Sequence, residues 1–178
     1  SLKGKLQLRV RNVGLANWNE LLLNGNVVIV YDAGAPTFAS KTSVREIIGD
    51  KIEEYSKSKP ILILSHWDKD HYHSLIEMTD KEIECFTSFI CIDRAVTNTT
   101  RILLNRFISV LGSSNVFQIS NVPRETKGGK TPLYLISKED SQILLYTSMY
   151  HKTKNISGLV LALRTIESSV IFSGDCFY

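Results

Sequence analysis

The sequence predicts an α+β fold in which two β-sheets pack face to face and helices cover their outer sides. Three observations carry this expectation. Strand-like segments outnumber helical ones, yet amphipathic helices sit between several of them, an order that fits two sheets better than a doubly wound parallel sheet. One segment, Pro60-Ile-Leu-Ile-Leu64, is almost wholly apolar, the pattern of a strand buried on both faces. The 178 residues are 43% apolar, and no repeat, low-complexity tract or Pro/Gly linker divides them, so a single domain with a real core is expected over residues 1–178.

The elements follow in order. Lys5 to Val10 alternates apolar and polar residues, as a half-buried strand does. Glu20 to Leu23 and Val27 to Tyr31 flank Asn24-Gly25-Asn26 and read as a hairpin, because Asn-Gly tolerates positive φ at low cost. Asp32-Ala-Gly34 closes the second strand. Lys41 to Lys57 predicts one helix, with Val44, Ile47, Ile48, Ile52 and Tyr55 at helical spacing. After the Pro60–Leu64 strand come a strand near Cys85 to Ile92 and a helix near Thr99 to Leu111, capped by Thr97 or Asn98. The last third predicts strands at Val116–Ile119, Leu133–Ile136, Ile143–Thr147, Leu159–Leu163 and Val170–Phe172, with a polar, mobile loop at Arg124–Lys130.

Composition excludes several classes. Charged residues make up 22%, which is neither disordered nor collagen-like. The net charge of +3 suits an anionic substrate without demanding one. Cys85, Cys91 and Cys176 form no CxxC pair, so neither a disulfide framework nor a thiolate zinc site is indicated. Cys85 and Cys91 lie in an apolar run and read as buried free thiols, which points to a reducing, cytoplasmic setting. No apolar stretch approaches the roughly 20 residues that span a bilayer, and Ser1 to Lys5 lacks the apolar core of a signal peptide.

The chemistry is concentrated in Ser65-His-Trp-Asp-Lys-Asp-His-Tyr-His73. Three of the chain's four histidines and two aspartates fall here, directly after the buried strand. Imidazole with carboxylate is a ligand set for zinc, manganese or iron. Residues two apart on a loop leaving a strand point the same way, so His66 and Asp68 converge on one ion. Asp70 and His71, entering the next helix, turn towards a second. The alternative is a solvated polar loop, but a turn does not need this composition.

His66-x-Asp68-x-Asp70-His71 resembles the metal-binding motif of the metallo-β-lactamase superfamily, commonly His-x-His-x-Asp-His. Asp68 stands where the second histidine usually is, which resembles the hydrolase domain of ComEC-type DNA-uptake proteins. Asn12-Val-Gly14 followed by Asp32-Ala-Gly34, and Asn155 to Leu161 followed by Phe172-Ser-Gly-Asp175, resemble further segments of that branch in the same order. The resemblance implies an αββα sandwich of two mixed sheets with outer helices, and two divalent metal ions, zinc or manganese, with iron as another option. It implies that His66 and Asp68 ligate the first ion, that Asp70 and His71 ligate the second, and that Asp175 bridges them. Asp32 matches a position that braces the metal loop through hydrogen bonds, although a strand-end turn aspartate would look the same. His151 is a candidate third histidine, and His73 either lines the pocket or lies on the surface. The superfamily places another histidine well beyond the Gly-Asp, and the chain stops three residues after Asp175, so a missing C-terminal part and a further segment are expected.

The implied activity is metal-dependent hydrolysis by a metal-bound bridging hydroxide, with Asp70 orienting it as the catalytic carboxylate. Phosphodiesters are the leading substrate class, with nucleic acid as the partner and the chain acting as a phosphodiesterase or nuclease. Small carbonyl substrates such as lactones, thioesters or β-lactams are a second reading. A catalytically inactive scaffold or sensor of the same fold is a third.

Overall fold

The computed structural model describes residues 4–49, 51–93, 95–120, 125–126, 129–130, 133–138, 141–148 and 158–175. Strands β1 (Leu6–Val10), β2 (Asn19–Leu23), β3 (Asn26–Tyr31), β4 (Ile61–Leu64), β5 (Ser88–Ile92) and β6 (Val116–Ile119) form a first sheet in that order. β1 to β3 are antiparallel neighbours, and β3 to β6 run parallel. The parallel crossovers hold helices α1 (Lys41–Ile48), α2 (Lys51–Ser58), α3 (Lys69–Glu77), α4 (Asp80–Ile83) and α5 (Asn98–Leu111). Two short strands, β7 (Glu125–Thr126) and β8 (Gly129–Lys130), pair with each other. β9 (Leu133–Lys138), β10 (Ser141–Thr147), β11 (Leu159–Thr165) and β12 (Ser169–Phe172) make a second, wholly antiparallel sheet, ordered β12-β11-β10-β9.

The alternation of the central strands, interrupted in β3 by a register shift at Val28 that puts Val27 and Val30 on one face, divides the core in two. Val27, Val30, Leu62, Leu64, Phe89 and Cys91 face the helices and meet Val44, Ile48, Tyr55, Leu75, Leu103 and Phe107. Ile29, Tyr31, Ile63, Ile90 and Ile92 face the second sheet and meet Ile143, Leu145, Leu159, Leu161 and Phe172. The expected α+β sandwich of two sheets with outer helices is therefore the fold. The described helices all pack on the far side of the first sheet, and the apolar run Ile61–Leu64 is buried on both faces as expected.

Three local expectations need correction. The single helix expected over Lys41–Lys57 is two, because Gly49 adopts φ +45 and its N–H closes α1 on the Arg45 carbonyl. A glycine inside a helical pattern gives the chain a cheap exit into this left-handed conformation. β1 is not half-buried by its apolar face: it is an edge strand with Leu8 41% and Val10 69% exposed. Its partly buried side chains are Leu6 and Arg9, the latter drawn down onto Glu20 and Glu54. The polar stretch Arg124–Lys130, expected as a loop, contains the β7–β8 pair. The Asn24-Gly25 turn is as expected, with φ +52 and +82. Thr97 caps α5, its hydroxyl accepting from the Thr100 N–H.

Candidate metal centre

β3 and β4 are parallel neighbours, so their C-terminal ends deliver Asp32 and Ser65 side by side. Asp32 leaves the sheet at φ +60, a conformation that Asp and Asn tolerate better than most side chains. Its fully buried carboxylate accepts three hydrogen bonds: from the Ser65 N–H (2.7 Å), the Ser65 hydroxyl (2.8 Å) and Nδ1 of His71 (2.8 Å). The Ser65 oxygen in turn accepts from Nδ1 of His66 (2.9 Å). One aspartate thus sets both rings through their Nδ1 atoms, leaving both Nε2 atoms aimed at the same space.

Asp68 and Asp70 enter through the start of α3. Asp68 is the N-cap by backbone geometry, yet its side chain makes no capping bond. Its carboxylate stands 3.5 Å from Nε2 of His66, and that of Asp70 stands 3.7 Å from Nε2 of His71. Asp175, in the turn after β12, reaches both rings, 3.8 Å from His66 and 3.6 Å from His71. Nε2 of His66, Nε2 of His71 and a carboxylate oxygen of Asp175 all lie within 4.8 Å of one another. The two rings are 3.9 Å apart, centre to centre.

These donors fit a metal. Nε2 of His66 is buried without a hydrogen-bond partner, the one such side-chain atom among the described residues. Burial, together with the neighbouring His71, pushes His66 below its usual range, so this nitrogen carries a lone pair facing carboxylate oxygens. Such a pairing at 3.5–3.8 Å is too long for a hydrogen bond and repulsive as it stands. Ligands at about 2.0–2.2 Å from a shared ion stand about 3–3.5 Å apart, close to these separations. Burial works against a charge on His71, but the Asp32 hydrogen bond and the carboxylates of Asp32, Asp70 and Asp175 outweigh it and raise the ring to about 9.

Two glycines allow the close approaches. A Cβ on Gly34 would lie 1.7 Å from the Asp70 carbonyl oxygen, and one on Gly174 would lie 2.8 Å from the Ser65 hydroxyl. Gly174 also has φ +54, the left-handed region. Backbone bonds lock the assembly: Ala33 N–H to the His71 carbonyl (2.9 Å), Leu159 N–H to the Ser65 carbonyl (2.8 Å) and Gly34 N–H to the Asn17 carbonyl (2.8 Å).

Six of the residues singled out in the sequence, His66, Asp68, Asp70, His71, Asp175 and Asp32, meet at this one place. His73 does not join them: it is buried, and its Nδ1 donates to the Pro36 carbonyl (2.8 Å), which fastens α3 to the loop after β3. His151 and Cys176 lie outside the described residues, while Cys85 and Cys91 are buried free thiols. Sequence reasoning passed over Asn17, whose side-chain amide lies 3.1 Å from Nε2 of His71, and the hydroxyl of Ser65. Neither residue type carries a metal signal of its own. Among the described residues no helix is long and apolar enough to cross a membrane.

No protein-family model matches the chain, and no curated protein sequence is similar to it. Among solved structures, it is similar to the short form of human tRNase Z, at 10% identity and a TM-score of 0.48 over 92% of this chain and 66% of that one. It is also similar to CmlA, a diiron β-hydroxylase from Streptomyces venezuelae, at 16% identity and a TM-score of 0.48, over 97% of this chain and 30% of that one. The chain thus spans less than two thirds of the length of either protein.

Proposed function

We propose that the chain is a metal-dependent hydrolase whose substrates are phosphodiesters, nucleic acid foremost. The observation that carries the reading is the convergence of two buried imidazole nitrogens and three carboxylates, with one nitrogen left unpartnered. His66, Asp68 and Asp175 would hold one divalent ion, and His71, Asp70 and Asp175 the other. Zinc, manganese or iron bound there would supply Lewis acidity and make water acidic enough to act near neutrality. Three carboxylates to two imidazoles is a hard, oxygen-rich set, which favours manganese or iron more than an all-histidine site would.

The chain's own groups do the rest. Asp32 fixes the tautomers of both rings, His71 directly and His66 through Ser65. Asp70, partly exposed at the start of α3, would orient an attacking water while holding the second ion. The mild positive charge and the resemblance of Asp68 to the ComEC-type motif favour a phosphodiester over a carbonyl substrate. The test is cleavage of bis(p-nitrophenyl) phosphate, and of a chromogenic β-lactam beside it, with added manganese or zinc. We expect metal-dependent turnover of the phosphodiester, abolished together with metal binding in His66→Ala and Asp70→Ala. Turnover of the β-lactam alone would move the substrate to the carbonyl class. Unchanged metal content in both variants would end the metal-centre reading.

A further inference from the structure

The two nitrogens that face the carboxylates are not equivalent. Nε2 of His66 has no hydrogen-bond partner, whereas Nε2 of His71 has the Asn17 amide at 3.1 Å. Asn17 is held there by the loop between β1 and β2. Its N–H donates to the Asp70 carbonyl (3.3 Å), its carbonyl accepts from Gly34, and Arg11 N–H to the Trp18 carbonyl (2.9 Å) closes the loop. Trp18, the next residue, is 1% exposed, and its indole N–H donates to the Tyr55 hydroxyl (2.9 Å). The amide is therefore delivered to the ring by backbone that is itself tied to the metal loop. An amide serves a neutral ring through Nδ2 and, turned over, a protonated ring through Oδ1. In either state a cation can reach this nitrogen only after Asn17 leaves it.

We propose that Asn17 is a positioning residue that competes with metal for Nε2 of His71, so that the two halves of the centre fill unequally. The half built on His66, Asp68 and Asp175 fills first. The half built on His71 and Asp70 fills second, against the Asn17 hydrogen bond. The inference rests on the metal-centre reading given above.

The test is calorimetric titration of the chelator-stripped full chain with Mn²⁺ and, separately, Zn²⁺, with elemental analysis of the end point. Wild type should take up two ions in two resolved steps. Asn17→Ala should tighten the weaker step roughly three- to tenfold, the worth of one hydrogen bond, and leave the tighter step within twofold. Asn17→Ser, which keeps a small polar side chain, should shift the weaker step in the same direction should the alanine variant fail to fold. In metal-free protein, the ¹⁵N resonance of His71 Nε2 should move in Asn17→Ala while the Nδ1–H to Asp32 signal stays, which a general loosening of the loop would not produce. An unchanged or weakened second step in a folded variant, or a single step in wild type, overturns the inference and leaves the metal centre standing. A wild-type protein that binds neither ion overturns both.

Discussion

Replacing Asp32 by asparagine changes one oxygen to an NH₂ group without changing shape, and asparagine accepts the φ of +60 as readily as aspartate does. In the wild-type protein the carboxylate receives Ser65 N–H, Ser65 O–H and His71 Nδ1–H. Asparagine keeps one acceptor, which the rigid Ser65 N–H takes, and presents donors to the Ser65 hydroxyl and to His71. The hydroxyl can turn. The His71 ring can comply only by offering a lone pair at Nδ1, which leaves its remaining proton on Nε2, the atom aimed at Asp70 and Asp175. The fold survives, but the ligand nitrogen is lost. The penalty is that of exchanging a charge-assisted hydrogen bond for the wrong tautomer, about 1.5–3 kcal/mol, or about 10- to 100-fold in metal affinity. Asp32→Ala should be worse for stability, because it leaves up to three buried donors without an acceptor at about 1–3 kcal/mol each. Equilibrium dialysis with elemental analysis measures the affinity, urea denaturation measures the stability, and ¹H–¹⁵N correlation of the imidazole nitrogens identifies the tautomer. An Asp32→Asn protein that folds, keeps its proton on Nδ1 and binds metal within twofold of wild type would refute the reasoning.

Three other perturbations test separate parts of the structure. Gly34→Ala places a methyl group 1.7 Å from the Asp70 carbonyl oxygen and 2.9 Å from that of Asn17, so one segment must shift; a loss of about 2–3 kcal/mol in urea denaturation, with weakened metal binding, is expected, and a wild-type midpoint would contradict it. Glu20→Ala removes a fully buried carboxylate that Arg9, Arg11 and the Tyr55 hydroxyl share; with both arginines partly exposed the cost should be about 2–3 kcal/mol, and Glu20→Gln should recover part of it. The two hydrogen bonds from Arg45 hold the Glu82 carboxyl down to about 2 from 4.5, so its stabilisation is complete above about 4.5 and is lost as pH falls towards 2. Glu82→Gln should therefore cost about 1–2 kcal/mol at pH 7, discounted for the exposed Arg45, and unfolding midpoints of the two proteins should converge near pH 2.

Much of this fold and site can be read from the sequence, for physical reasons that also mark where reading stops. Ile61–Leu64 is legible because both its faces are buried, and α5 because its apolar residues return every three or four positions. The His66–His71 cluster is legible as a candidate site because no turn needs so many histidines and aspartates. Alternation in β1 says which residues share a face but not whether the opposing sheet reaches it, which is why Leu8 and Val10 emerge exposed. Gly34 reads as the end of a strand, whereas its work is to let the Asp70 carbonyl pass. Asn17 and Ser65 act through segments distant in sequence, so nothing local distinguishes them from other loop residues. Asp32 stands between these cases. Its position is suggested by family resemblance, but its three simultaneous hydrogen bonds become visible only when β3 and β4 lie side by side.

The Tyr31 hydroxyl reaches the Leu159 carbonyl (2.7 Å) and the Phe172 carbonyl (3.0 Å), joining the first sheet to the strands that carry Asp175. This seam gives the centre a history. About 100 residues separate His71 from Asp175, some 5–20 s of ribosomal synthesis, during which the histidine loop exists without its shared carboxylate. On the proposed metal-centre reading, a nascent chain would form the first sheet and still hold metal only weakly. Tight capture would wait until the β11–β12 hairpin has been made and has docked along Tyr31. Metal uptake would then follow the docking of that hairpin, and a chain stalled before β12 would leave its ions to others.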